Sequence, residues 1–252
     1  MTEIGNVFNG MRLPAIPLAI ENALLEREEK QRKEAERNPP VHDRMSSSGR
    51  CYRERWATTR GVPLDAGKGF SGSILKVFRL GHIIEDEVVD LLHLIPGVRV
   101  TDQQMQLRTG NWVGHIDGII EWSSPGSAIR TKSLLEIKSA KSSRFDLLEK
   151  LGYEAWNPGY ADQLQAYMAH IEEVSDAVVV VYDKDTSRIH AERILEDPDR
   201  ADSLRYESLL VTESDSVPPR PSGATSQSCK FCRWCDRAEW CWSAATNVEF
   251  DK

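Results

Sequence analysis

Between residues 134 and 139 the chain reads Leu-Leu-Glu-Ile-Lys-Ser, and this short run restricts the fold more than any other. Its apolar residues predict a core strand. Strand side chains alternate between faces, so Glu136 and Lys138 share one face while Leu135 and Ile137 share the other. An acid and a lysine on one side of a buried strand are costly unless they serve each other or a ligand. A second strand supplies a further acid in Gly114-His115-Ile116-Asp117-Gly118, whose glycines would leave room for something to approach. If the two strands are neighbours, the Asp117 and Glu136 carboxylates repel by roughly 3–4 kcal/mol at an effective dielectric near 20. A divalent cation with oxygen ligands, Mg²⁺ or Mn²⁺, relieves that repulsion. Lys138 can then orient an attacking hydroxide or neutralise charge on a phosphate. An E-x-K triplet taken alone fits a solvated surface pair equally well.

Around these strands the pattern is that of a mixed chain. Glu21–Arg37 is charge-dense, with Glu26–Lys30 and Glu29–Lys33 at i,i+4, and reads as a solvated helix stopped by Pro39 and Pro40. Apolar residues at helical spacing predict a helix over Ile74–Leu94, with Gly81 as its candidate break. Short strands follow at Val98–Val100, Met105–Leu107, Val113–Trp122 and Leu134–Ser139. Helices over Phe145–Leu151 and Ala161–Ile171, strands over Ala177–Tyr182 and Ile189–Ile194, and a helix over Pro198–Val211 complete the core. The predicted class is α/β, a mixed α+β domain with a mixed central sheet flanked by helices rather than a doubly wound one. The predicted organisation is an N-terminal helical arm (1–43), a core (44–212), a Pro/Ser-rich linker (213–228) and a C-terminal cysteine segment (229–252).

The longest aliphatic run, Ala177–Tyr182, is too short to span a bilayer, and the N-terminus lacks a signal-peptide layout. A soluble, cytoplasmic chain without a membrane partner is expected. A net charge of −7 argues against indiscriminate binding to nucleic acid but leaves room for a local basic groove.

Four ordered blocks resemble the PD-(D/E)XK nucleases, in particular their RecB-like branch: Gly81-His82 with Glu85, Gly114-His115-Ile116-Asp117, Glu136-Ile137-Lys138, and Gln163-Leu164-Gln165-Ala166-Tyr167. The resemblance spans about residues 70–195 and implies a restriction-endonuclease-like core. It implies that Asp117, Glu136, His82 and the carbonyl of Ile137 hold the metal, and that Lys138 is the catalytic lysine. Gln163 and Tyr167 would order the site or the DNA; their i,i+4 spacing puts them on one helix face. Lys141 and Arg144 are candidate phosphate contacts, or solvated surface charges. The implied activity is hydrolysis of single-stranded or end-exposed DNA by an exonuclease, in recombination, repair or phage- and CRISPR-related processing, with a helicase or recombination partner. The alternative is a non-catalytic DNA-end-binding or recombination accessory protein of the same fold.

Of five cysteines, Cys51 stands alone while Cys229, Cys232, Cys235 and Cys241 crowd near the C-terminus. Such spacing suits metal ligation better than disulfides. It resembles the iron–sulfur RecB-like nucleases, meaning CRISPR-associated exonucleases and the AddB-type nuclease domain. That resemblance implies a [4Fe–4S] cluster on Cys51, Cys232, Cys235 and Cys241, joining N- and C-terminal segments and leaving Cys229 spare. Zn²⁺ on Cys229–Cys241, as a self-contained DNA-binding knuckle, is the rival. Five arginines between Arg44 and Arg60 against the single acid Glu54 predict a setting that favours a Cys51 thiolate.

Overall fold

The computed structural model describes residues 15–39, 42–123 and 131–243. Pro40, residues 1–14 of the arm and residues 244–252 of the cysteine segment lie outside the described residues.

Two sheets form the frame. The larger has the order β2 (Val98–Thr101), β5 (Gly118–Trp122), β6 (Thr131–Ala140), β7 (Asp176–Asp183), β8 (Ile189–Leu195). Its β6–β7 pair is parallel and its other pairs antiparallel, so the sheet is mixed. The smaller has the order β1 (Asp43–Arg44), β4 (Trp112–His115), β3 (Gln106–Thr109).

Apolar alternation puts one core on each face of the large sheet. Leu135, Ile137 and Val180 pack with Val100 and Ile120 against Ile84, Val88 and Val89 of helix α3 (Gly72–His93). On the other face Leu134, Val179, Val181 and Ile194 meet Phe145 and Leu148 of α4 (Ser142–Leu151), Tyr153 and Trp156 of α5 (Tyr153–Trp156), and Leu164, Tyr167 and Met168 of α6 (Pro158–Met168). Leu204 of α7 (Pro198–Glu213) closes that core. Helix α1 (Ala15–Arg37) lies along α3, where Glu21 pairs with Lys76 at 2.7 Å.

Three expectations need correction. Gly81 does not break α3, which runs unbroken from its N-cap Ser71, whose Oγ accepts from the Ile74 amide at 3.3 Å. One interior glycine costs only about 1 kcal/mol, too little against the burial of the helix's second half. Val113–Trp122 is two strands, not one. The chain leaves the small sheet after His115 and enters the large one at Gly118, with Ile116 and Asp117 as the crossing. Gly114 and Gly118 do not hold space open for a ligand, because protein fills it. A Cβ on Gly114 would sit 2.5 Å from the Tyr167 ring and 2.8 Å from the Met45 sulfur, and one on Gly118 would sit 2.9 Å from Val100.

The Arg44–Arg60 segment contains α2 (Tyr52–Thr59), with Cys51 at its N-cap; Arg53, Glu54 and Arg55 are buried, while Arg44, Arg50 and Arg60 are exposed. Arg53 donates to the Pro218 carbonyl at 2.6 Å. Arg55 bridges Asp43, Ser48 and Glu207. Against the predicted thiolate-favouring setting, burial pushes the Cys51 thiol up; backbone bonds from Glu54 and Arg53 pull the other way, and the Glu54 carboxylate adds to the rise. Among the described residues, no helix is long and apolar enough to cross a membrane.

Candidate active site

The crossing at Ile116-Asp117 creates the site. The antiparallel register pairs Gly118 with Leu135, so one residue earlier Asp117 comes alongside Glu136. Asp117 Oδ2 accepts from the Ile137 amide at 2.7 Å, which pins the acid to the strand carrying the other one. Glu136 is fully buried. Its Oε1 accepts from Gln163 Nε2 at 2.9 Å and is paired with the Lys138 ammonium. Gln163 Nε2 also donates to the Tyr167 hydroxyl at 3.2 Å. The structure thus brings Asp117, Glu136, Lys138, Gln163 and Tyr167 together through direct bonds.

Their electrostatics follow from burial. Loss of solvent raises Asp117, against the pull of Lys138 and the Ile137 amide. The same desolvation, reinforced by Asp117, pushes Glu136 up to about 7. Burial works against charge on Lys138, but Glu136 and Asp117 more than offset it and keep the ammonium protonated. Burial also raises Glu85, with Asp117 adding to it, while Gln104 donates to its carboxylate.

Glu136 Oε2 is buried and has no hydrogen-bond partner. An orphaned carboxylate oxygen beside a second carboxylate fits a hard, oxygen-seeking cation. Of the two other predicted ligands, the Ile137 carbonyl and His82, the side chain of His82 is turned largely to solvent. His82 is 81% exposed on α3, with Nδ1 3.8 Å from Glu85. Among the described residues, no three His, Cys, Asp or Glu side chains are gathered as ligands of one metal ion. Lys141 is exposed at the start of α4, whereas Arg144 donates to the Trp156 carbonyl at 3.1 Å and lies 5.2 Å over that ring.

Sequence reasoning missed two tyrosines. Lys138 Nζ lies 5.0 Å over the Tyr160 ring. Tyr160 falls three residues before Gln163 on α6 and stacks on Tyr153, with centroids 6.4 Å apart. Tyr153 is fully buried, and its hydroxyl has no partner. A tyrosine one turn ahead of Gln163 was a readable signal for the first; nothing local marked the second.

The cysteine segment packs near α2. Trp240 of α8 (Ala238–Trp242) stacks on Trp56 with centroids 6.4 Å apart, and Asp65 accepts from the Glu239 and Trp240 amides. Cys51, Cys232, Cys235 and Cys241 line one cleft of about 690 Å³, and Cys229 is not among its walls. Burial raises Cys235 to about 12, with Glu54 adding to the rise. The four thiols line this cleft without being gathered around one point; in donor type alone they suit zinc or iron–sulfur alike.

No protein-family model and no curated protein sequence matches the chain. Solved structures do. The alkaline exonuclease LHK-Exo from Laribacter hongkongensis is 15% identical, with a TM-score of 0.49 over 71% of this chain and 90% of that one. A phage-related exonuclease from Haemophilus somnus 129PT is 14% identical, with a TM-score of 0.44 over 71% of this chain and 95% of that one. The protein SSO0001 is 18% identical, with a TM-score of 0.43 over 81% and 85% respectively. None of these likenesses is close enough to carry a residue's role across.

Proposed function

We propose that this protein is a divalent-cation-dependent nuclease of the PD-(D/E)XK type, an exonuclease that hydrolyses phosphodiester bonds of single-stranded or end-exposed DNA during recombination, repair or related processing. One observation carries the reading: a fully buried glutamate with an orphaned oxygen sits beside Asp117 and is paired with Lys138. A stabilising core would not keep such a group; a site built for a cation and a phosphate has reason to.

Asp117 and Glu136 would hold Mg²⁺ or Mn²⁺, with His82 and the Ile137 carbonyl as further ligands. When bound, the ion supplies an activated water and charge neutralisation at the phosphate. The chain's own residues do the rest. Gln163 fixes the rotamer of Glu136, and Tyr167 fixes Gln163. Lys138, 21% exposed and held by Glu136, presents a permanent positive charge where negative charge grows on the phosphate oxygens. The cysteines at 51, 232, 235 and 241 would hold a [4Fe–4S] cluster or Zn²⁺ that ties the C-terminal segment to the core; elemental analysis separates the two.

End-labelled single- and double-stranded DNA with Mg²⁺, Mn²⁺ or EDTA tests the activity. Asp117→Asn and Glu136→Gln each keep shape and remove a charge, so cleavage should fall by orders of magnitude with the fold intact. Full cleavage by either variant, or in EDTA, would falsify the assignment.

A further inference from the structure

The first turns of α3 carry an unusual surface. The second half of the helix hides its apolar stripe through Ile84, Val88 and Val89. The first half does not: Phe78 is 48% exposed, and Phe70, just ahead of the N-cap Ser71, is 47% exposed. Their rings meet edge to face with centroids 4.9 Å apart. An edge-on contact braces both rings while leaving ring face available. Lys68, two residues before Phe70, and Arg79, next to Phe78 in the chain, are exposed, whereas Lys76 is neutralised by Glu21 at 2.7 Å.

The pair is aligned with the carboxylate site. Phe78 and His82 are i,i+4 and so lie one above the other on a single helix face. His82 leads to Glu85 at 3.8 Å, and Glu85 is close enough to Asp117 for their charges to interact. From Phe78 to Glu85 the helix rises about 10 Å, a span a few nucleotides of extended strand can cover.

We infer that Phe70 and Phe78 form a stacking platform for unpaired bases, which feeds single-stranded DNA toward Asp117, Glu136 and Lys138. This deepens the nuclease reading above and rests on it. Aromatic side chains bind single strands because every unpaired base offers a π-face, and neighbouring cations follow the backbone. In a duplex those faces are already stacked on one another and the rings cannot reach them.

The test is binding of fluorescent DNA in EDTA to the full chain and to its Phe70→Ala/Phe78→Ala variant. Three probes are used: a thymidine oligonucleotide, an abasic oligonucleotide of equal length, and a blunt duplex. The variant should bind the thymidine strand about tenfold or more weakly, with abasic strand and duplex changed by less than about twofold. Phe78→Trp should bind the thymidine strand as tightly as the parent. Equal losses on the thymidine and abasic strands, or no loss on either, would overturn the platform. So would a variant that binds DNA normally but converts an oligomer to monomer in size-exclusion chromatography, since the face would then be a self-contact. Both substitutions are at exposed positions, and circular dichroism verifies the fold. The two readings fail separately: base-dependent binding without hydrolysis defeats the nuclease, and hydrolysis without base dependence defeats the platform.

Discussion

At the residue scale, Lys138 is held by two unlike partners. Glu136 neutralises it through a charged hydrogen bond, while Tyr160 offers an aromatic face at 5.0 Å. The ammonium rests directly on the carboxylate, and the Tyr160 ring, carried by α6, flanks it on a second side. A cation–π contact is worth about 0.5–2 kcal/mol, enough to change how often the lysine is in place without changing whether the protein folds. Tyr160→Leu should therefore slow turnover of bound DNA by about several-fold to tenfold, while Tyr160→Phe, which keeps the ring, stays near the parent. Lys138→Ala should cost far more in turnover than in DNA affinity, because its charge matters most in the transition state. Single-turnover cleavage of prebound DNA, read beside binding in EDTA, separates the two effects. If Lys138→Ala loses affinity and keeps its single-turnover rate, the lysine is only a phosphate anchor.

At the scale of elements, what aligns the site is a set of joints rather than any single helix. Asp183, at the end of β7, shows how one is made. Burial alone would raise its carboxyl. Hydrogen bonds from Thr186, the Asp185 amide, Arg188 and Ser142 outweigh burial and hold it far below the usual value of 3.8. Ser142 opens α4, so this carboxylate fixes the helix that follows the lysine strand. The ionised aspartate contributes stability in full above its unfolded pKa. That contribution drains away as the pH falls below about 3.8, because a proton must displace those bonds. Thermal melts against pH should show Asp183→Asn less stable than the parent at neutral pH, with the gap narrowing in acid. A gap that stays constant from neutral to acid pH would mean the carboxylate's charge is irrelevant.

The joints also mark what was legible in the sequence. Period-two alternation around Glu136 and Lys138 reports which side chains share a face, and i,i+4 spacing reports the Gln163–Tyr167 face. Both are local signals, and both faces are found as read. The division of Val113–Trp122 was hidden because each half is apolar enough to continue the other; only the change of sheet separates them. The burial of Arg53 and Arg55 was hidden for a related reason. Arg53 reaches Pro218 and Arg55 reaches Glu207 across more than a hundred positions, so two of these arginines are internal clamps, while Arg44, Arg50 and Arg60 stay exposed. Tyr160, three residues before Gln163 on α6, was legible from the same helical spacing, whereas nothing local marked the burial of Tyr153.

At the scale of the whole molecule, the cysteine segment, α2 and α7 form a second centre of order beside the sheet. Clamping Cys51 to residues some 180 positions later would restrain the unfolded chain by about 5 kcal/mol in the entropy view. Cys51→Ala should therefore lose bound metal and much stability, whereas Cys229→Ala, outside the cleft walls, should keep both. Iron, sulfide and zinc analysis with parallel melts of anaerobically purified protein decides between them. The reverse outcome would point to a local C-terminal knuckle.

The segment between Met45 and Cys51 touches α6 directly. A single methyl on Gly49 would come 2.2 Å from the Gly159 Cα, at the first turn of α6. The two backbones are in contact with no side chain between them to absorb a shift. A displacement of Cys51, by oxidation for example, would press through Gly49 on the first turn of α6, the helix that carries Tyr160, Gln163 and Tyr167. Damage to the thiols would then register twice, as lost stability and, on the proposed reading, as poorer alignment of Lys138 and Glu136 through α6.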